Sequence, residues 1–225
     1  MTIVPDFDRS VALPVPNRRL GAHRRAAGVG GSDAYWRFRS VIDVVGALFL
    51  LPIVACLALI LLVLNPLFNP GPLLYRQQRM GQGCMPFLAF KFRTMTCGPQ
   101  ERGANDPVEV DRITPLGGIL RRMGLDELPQ AINVLRREMS LIGPRPDCVR
   151  HAEEFLTEIP EYGRRFVIRP GMSGLAQIKL GYAVGRDATR AKALSDIDYI
   201  RHAGFVLDLW ITWRTLVTVF TGRGD

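Results

Sequence analysis

Residues 44–64 read VVGALFLLPIVACLALILLVL, an apolar run with no charged side chain. As a helix it covers about 32 Å, the thickness of a bilayer hydrocarbon core. A soluble helix of this length would need a polar face, and this run has none. The run starts far from Met1, is too long for a leader's apolar core and is followed by no small-residue cleavage site, so a cleaved signal peptide is not expected. Pro52 lies near its middle. A proline there removes one helical N–H and clashes with the preceding turn, so the helix is expected to bend. Both flanks are basic, with Arg24, Arg25, Arg37 and Arg39 before and Arg76 and Arg79 after. The bias that keeps basic loops in the cytoplasm therefore gives no orientation. On the residues alone, a spanning helix and a re-entrant hairpin are both open.

Upstream, residues 1–35 are rich in Pro, Gly and Arg without apolar periodicity, and read as a flexible basic arm. Its arginine pairs suit either anionic headgroups or a solvated tail. The whole chain has 225 residues, a net charge of +8 and a pI near 9.8, a balance that favours phosphates, acidic lipids or nucleic acid as partners. Cys56, Cys84, Cys97 and Cys148 include no CxxC pair, and the three histidines form no ligand pattern, so free thiols and no zinc site are expected.

Downstream, Asn65-Pro66 and Asn69-Pro70-Gly71-Pro72 break the helix. Residues 73–79 and 87–94 read as strands joined at Gly81-Gln82-Gly83 into a hairpin. Helices are expected over 116–123, 126–136, 147–158 and 187–202, the last with Ala191, Leu194, Ile197 and Ile200 on its apolar face. Residues 205–220 are apolar, hold Trp210 and Trp213, and are interrupted by Asp208 and Arg214. They suit a helix lying on a membrane surface or an ordinary core helix.

Four polar clusters carry candidate chemistry. Lys91 and Arg93 in KFRTM (91–95) would share one strand face, suited to a diphosphate or simply to solvent. In LDELPQ (125–130), Asp126 is placed to cap a helix, with Pro129 in its first turn. The same acids suit catalysis: helix-start N–H groups attract phosphate, one carboxylate can attack phosphorus and the other can hold magnesium. In MSLIGPRP (139–146), Arg145 stands between two prolines on a stiff loop, its planar fork matched to phosphate. In RPGMSGLAQ (169–177), glycines allow backbone to approach a ligand, and Arg169 and Gln177 flank the loop as candidate substrate contacts.

In this order, an apolar segment with a central proline, KFRTM, an arginine-rich helix before LDELPQ, NVLRREMSLIGPRP, RPGMSGLAQ and a late Asp196-x-x-Tyr199, the chain resembles the bacterial sugar transferases, the monotopic polyprenyl-phosphate phosphoglycosyl transferases. The resemblance covers about residues 36–220. It implies an α+β, mostly helical protein: a flexible arm (1–35), a re-entrant membrane helix bent at Pro52 (36–66), and a cytoplasmic domain (67–225) with a β-hairpin and interfacial amphipathic helices. It implies Asp126 and Glu127 as catalytic dyad and magnesium site, with Arg121, Lys91 and Arg145 as phosphate contacts. The implied reaction moves a sugar-1-phosphate from a UDP-sugar to polyprenyl (undecaprenyl) phosphate through an aspartyl phospho-sugar. It releases UMP and starts exopolysaccharide, capsule or O-antigen assembly at the cytoplasmic face of a bacterial inner membrane. Membrane lipids are implied partners, and a homodimer is left open.

The chain departs from that pattern in three places. Leu51 precedes the membrane proline where many members have serine, and Arg137 follows NVL-Arg where the family commonly has glycine. The arginine many members carry after the Ala-Gln pair has no clean counterpart, Lys179 and Arg186 being its nearest substitutes. A non-catalytic membrane-anchored binding module is the rival class, and it gives no reason for adjacent acids among arginines. A nucleic-acid partner is not expected, for no reading helix or aromatic-basic surface is present.

Overall fold

Ser32 starts the longest helix by accepting a hydrogen bond from the Tyr35 amide at 3.1 Å, with Asp33 in the first turn facing the positive end of the helix dipole. In this computed structural model, which describes residues 28–96, 103, 106, 109–181 and 185–221, α1 runs over Asp33–Phe68. It stays helical through Pro52 and Pro66 and stops at Asn69. Most of the arm and residues 97–102 lie outside the described residues.

The hairpin forms where alternation and the glycine turn place it. Strand β1 (Leu74–Met80) pairs antiparallel with β2 (Pro86–Phe92) from Leu74↔Phe92 to Met80↔Pro86. Next comes α2 (Pro115–Arg122), capped by Thr114 with Pro115 in its first turn and with Arg121 and Arg122 at its negative end. A Cβ on Gly117 would lie 2.0 Å from the Thr94 carbonyl oxygen, so only glycine lets α2 pack on the chain leaving β2.

A 3-10 helix, Leu125–Gln130, leads into α3 (Ala131–Leu135). Then follow β3 (Ser140–Ile142), α4 (Val149–Glu158), a second 3-10 turn (Tyr162–Val167), β4 (Gly171–Ser173), α5 (Leu175–Leu180), α6 (Arg186–His202) and α7 (Phe205–Thr221). Strands β3 and β4 pair in parallel. Among the described residues the chain is mostly helical, with one β-hairpin and one helix long and apolar enough to cross a membrane.

The buried residues of α1 are Tyr35, Trp36, Arg39, Asp43, Ala47, Leu61 and Asn65, a single stripe at helical spacing. That stripe touches the rest of the protein along its whole length. Tyr35 and Trp36 join a core with Tyr199 and Ile211, Ala47 packs with Val134 and Met139, and Leu61 packs with Phe92 and Leu120. Polar bonds fix both ends. Near the start, Arg39 donates to Ser140 Oγ (2.9 Å) and the Ile142 carbonyl, while Asp43 accepts from Ser140 Oγ and the Leu141 amide. Near the end, Asn69 bonds both the Arg93 guanidinium and the Arg93 carbonyl. Arg39 is thus buried in protein and not part of a basic flank facing headgroups, because β3 offers its guanidinium a hydroxyl and a carbonyl.

The opposite side of α1 is bare and apolar, with Phe49, Leu59, Val63 and Leu67 all mostly exposed. Helix α7 has one buried residue, Ile211, and exposes Val206, Leu209, Trp213 and Phe220. The two bare stripes adjoin, since the Phe38 and Phe205 rings lie 5.3 Å apart. An apolar patch of this extent marks a membrane face.

Helix α6 buries only part of the apolar face its periodicity predicts, with Ile197 and Ile200 buried but Ala191 and Leu194 exposed. Thr189, Ala193, Asp196, Ile197 and Ile200 point inward, while Leu194 is exposed. Asp196 turns inward to meet Arg165 at 2.7 Å, and the helix follows.

If α1 is re-entrant, both of its ends lie on the same side of the membrane. In a cysteine-free background, Ala34→Cys and Gln78→Cys flank α1 at exposed positions. Both are expected to resist an impermeant thiol reagent in intact cells and to react once the membrane is opened. Reaction at position 34 alone in intact cells means that α1 spans.

Candidate active site

Pro129 has no N–H to bond the Leu125 carbonyl, so the chain after α2 tightens into a 3-10 turn before α3 begins. Gly124, at φ 64°, occupies the N-cap position and no side chain caps the turn. The expected capping role of Asp126 is therefore absent. The turn lies between the membrane elements: Leu125 packs in the cluster of Leu61 and Leu57 on α1, and a Cβ on Gly124 would stand 3.9 Å from Val219 on α7.

Asp126 and Glu127 are neighbours with opposite surroundings. Glu127 is fully engaged. Lys91 Nζ, delivered by β2, donates to Oε1 at 2.5 Å, and the Arg145 fork donates to both oxygens, Nη1 to Oε2 at 2.5 Å. Burial pushes the Glu127 pKa up, but Arg145 and Lys91 outweigh it and hold the carboxyl below its usual range. Asp126 is buried, yet no hydrogen bond to its carboxylate is found among the described residues. Burial raises its pKa above the ordinary carboxylate value, and Lys91, Arg145 and Arg121 pull it only part of the way back.

Arg145 is held from behind. Arg165 Nη2 donates to the Arg145 carbonyl at 2.8 Å, and the same guanidinium pairs with Asp147 and with Asp196 (2.7 Å). Lys192 and Tyr162 also reach Asp147, at 2.7 and 2.6 Å. The loop of Arg145 lies backbone against backbone on the 169–174 turn, for a Cβ on Gly171 would fall 2.1 Å from the Gly143 nitrogen.

Of the site residues expected from the sequence, the fold brings Asp126, Glu127, Lys91, Arg121 and Arg145 together. Arg121 reaches the group through its charge on Asp126, and its buried Nη1 has no hydrogen-bond partner. Arg93 goes elsewhere. β2 ends at Phe92, and the Arg93 guanidinium binds Asn69, the Pro72 carbonyl (2.8 Å) and the Met95 carbonyl (3.1 Å), because the 69–72 breaker folds over it. It serves as a clamp there and does not share a face with Lys91. Arg169 is half-buried with Asp43, Arg137 and Arg39 as its charged neighbours. Gln177 keeps a buried Oε1 without a partner, beside Gly174. Neither substitute for the family arginine enters the cluster: Lys179 pairs with Asp198 at 3.6 Å and Arg186 donates to the Glu158 carbonyl.

Sequence reasoning missed Arg79, read only as a basic flank. It lines a small cleft with Ala89, Lys91, Gln130, Arg145 and Pro146. Its position on the strand paired with that of Lys91 is the signal that could have found it.

No group of three or more His, Cys, Asp or Glu suited to a metal occurs among the described residues. The open Asp126 carboxylate beside Glu127 nonetheless fits magnesium, which keeps waters, takes substrate phosphates and needs only one or two protein carboxylates.

The sequence profile described as bacterial sugar transferase matches residues 34–222. The chain belongs to the bacterial sugar transferase family. This family member is 39% identical over 194 residues to the UDP-N-acetylgalactosamine-undecaprenyl-phosphate N-acetylgalactosaminephosphotransferase of Aeromonas hydrophila, covering 86% of the chain and 46% of that relative. It is 42% identical over 189 residues to the UDP-glucose:undecaprenyl-phosphate glucose-1-phosphate transferase of Caulobacter vibrioides, covering 81% of the chain and 70% of that protein. With an exopolysaccharide production protein of Rhizobium leguminosarum it shares 39% identity, over 81% of the chain and 95% of that protein. The chain thus spans about half the length of the Aeromonas relative and nearly all of the Rhizobium one.

The two acids differ in a way stability measurements will register. Glu127→Gln leaves Lys91 and Arg145 without a counter-charge and is expected to destabilise the protein by about 3 kcal/mol. Asp126→Asn removes no hydrogen bond and is expected to leave the thermal midpoint in detergent unchanged or slightly higher.

Proposed function

We propose that this sugar transferase family member moves a sugar-1-phosphate from a UDP-sugar to polyprenyl phosphate at the cytoplasmic face of the inner membrane, the first step of building a surface polysaccharide. The observation that carries the reading is the unpaired Asp126 carboxylate, set beside a fully paired Glu127 and among Lys91, Arg145 and Arg121. A non-catalytic anchor gives no reason to bury an acid without a partner. The relatives' names support the substrate class, as UDP-sugars and undecaprenyl phosphate occur in both the Aeromonas and Caulobacter proteins.

In the first half-reaction an Asp126 oxygen attacks the sugar-bearing phosphorus. The bond from that phosphorus to the bridging oxygen breaks, and the bridging oxygen leaves with UMP. In the second, an oxygen of polyprenyl phosphate attacks the same phosphorus, the bond to Asp126 breaks, and the carboxylate is restored. Arg121, Lys91 and Arg145 hold phosphate oxygens and stabilise the charge developing on them. Glu127 keeps Lys91 and Arg145 aimed at the site. Magnesium, held beside Asp126 and Glu127, would supply further neutralisation of the diphosphate.

The place of the site suits both substrates. Its turn rests on α1 and adjoins Val219 of α7, beside the apolar face, which supports a lipid phosphate reaching Asp126 from that face. The contacts of both ends of α1 with the rest of the protein support a re-entrant reading of that helix.

Asp126→Asn should keep fold and membrane binding and lower UMP release by at least about a thousandfold. Near wild-type turnover in a panel of UDP-sugars removes Asp126 as nucleophile. Chelation by EDTA should stop the reaction and magnesium should restore it; full activity in metal-free buffer takes magnesium out of the scheme.

The pH profile gives an independent check. Asp126 attacks as the anion, so the first half-reaction should fail as pH drops through its raised pKa. Lys91 is the strongest charge lowering that pKa. Lys91→Met should therefore move the acid limb of UMP release to higher pH, and an unmoved limb would dissociate Asp126 from it.

A further inference from the structure

Apart from Arg121, whose buried Nη1 is also unpaired, the other buried cations around this site each have a carboxylate. Lys91 and Arg145 have Glu127, Arg165 has Asp147 and Asp196, and Lys192 has Asp147. Arg79 does not. Its one hydrogen bond among the described residues runs from Nη1 to the Pro146 carbonyl at 2.8 Å, and its buried Nε has no partner. Its guanidinium pKa is pushed down, first by burial and then by Arg145. A half-buried guanidinium left without an anion and facing a second one is unfavourable for folding alone. Such an arrangement is relieved when a phosphate enters, because a planar fork donates two parallel hydrogen bonds to its oxygens.

The position of Arg79 narrows which phosphate this is. The charged groups acting on Asp126 are Lys91, Glu127, Arg145 and Arg121, whereas those acting on Arg79 are Arg145, Asp147 and Glu127. Arg121 acts on Asp126, and Arg79 lines a cleft with Arg145, Lys91 and Gln130.

We propose that Arg79 binds the phosphate that departs with the nucleotide, while Arg121 serves the phosphate attacked by Asp126. The inference rests on the transferase reading and assigns the two phosphates of its donor to two arginines. Arg79 receives the leaving phosphate beside Arg145 and takes up charge as the bridging bond breaks.

The test is equilibrium binding of UMP and of uridine to the full chain in detergent or nanodiscs, for wild type, Arg79→Gln and Arg79→Lys. Arg79→Gln should weaken UMP by about tenfold to a hundredfold, the range for hydrogen bonds to a charged group, and leave uridine unchanged. Arg79→Lys keeps the charge without the fork and should fall between, and it carries the test if Arg79→Gln does not fold. The KM for the UDP-sugar should rise with the loss of UMP affinity. Unchanged UMP binding, or equal weakening of UMP and uridine, overturns the assignment. So does a raised KM for polyprenyl phosphate with UMP affinity intact, which moves Arg79 to the lipid side. Wild-type protein that releases UMP from no UDP-sugar defeats the transferase reading, and UMP binding still reports on Arg79 in that case.

Discussion

One carboxylate organises the catalytic region. Glu127 accepts from Lys91 of the β-hairpin and from Arg145 of the loop after β3, so three segments far apart in sequence meet on its two oxygens. The register of β1 and β2 sets how far Lys91 reaches. Arg165 sets the loop of Arg145 from behind, itself held between Asp147 and Asp196 of α6. Buried ion pairs of this kind add little net stability compared with apolar packing, yet removing one member is strongly unfavourable. Their effect is to permit one arrangement. Because both cations bind Glu127, neither is bonded to Asp126, which stays an unpaired acid in a cationic setting.

The second constraint is the apolar face. Helix α1 keeps one stripe against the protein from Tyr35 to Asn65 and bares the other, and α7 adds a stripe beside it. Polar anchors at both ends of α1, Arg39 and Asp43 on β3 and Asn69 on Arg93, oppose the helix leaving the body to cross a bilayer alone. The Leu125–Gln130 turn rests on this helix, so packing, not a flexible linker, sets where it lies against the apolar face. A reaction between a water-soluble diphosphate and a lipid phosphate needs that placement. Arg79, on β1, lines a cleft with Lys91 and Arg145.

Much of this could be read from the residues. The hairpin strands and most of the helices after them fall within a residue or two of the periodicity and turn signals, but the helix expected over 126–136 is split into a 3-10 turn and α3 from Ala131. The pairing of Glu127 with Lys91 and Arg145 was not legible, since nothing in a sequence tells which cation meets which acid. Apolar periodicity also failed where buried ions decide the face. It chose Leu194 in α6, but Asp196 turns inward to Arg165. It counted Arg39 as flank, but Arg39 is a buried anchor. Arg93 was grouped with Lys91 by strand alternation, which stops applying once β2 ends at Phe92. Arg79 was passed over because an arginine near an apolar run resembles a membrane flank until the hairpin shows what it faces.

The proline of LDELPQ has a chemical consequence. In the 3-10 turn that Pro129 helps to impose, successive side chains are about 120° apart around the axis, so neighbours face different directions. Neighbours about 100° apart in an α-helix would also face different directions, so the unlike surroundings of Asp126 and Glu127 come from the hairpin and the Arg145 loop. Glu127 turns to the hairpin and the Arg145 loop, where it is satisfied and ionised. Asp126 points where burial raises its pKa and no donor binds it. Had Asp126 capped a regular α-helix, the amide hydrogen bond would have stabilised its anion and blunted it as a nucleophile. Gly124 at φ 64° removes that alternative by taking the cap position itself. The short motif thus encodes a backbone shape first, and the hairpin and the Arg145 loop set the division of labour between two neighbouring acids.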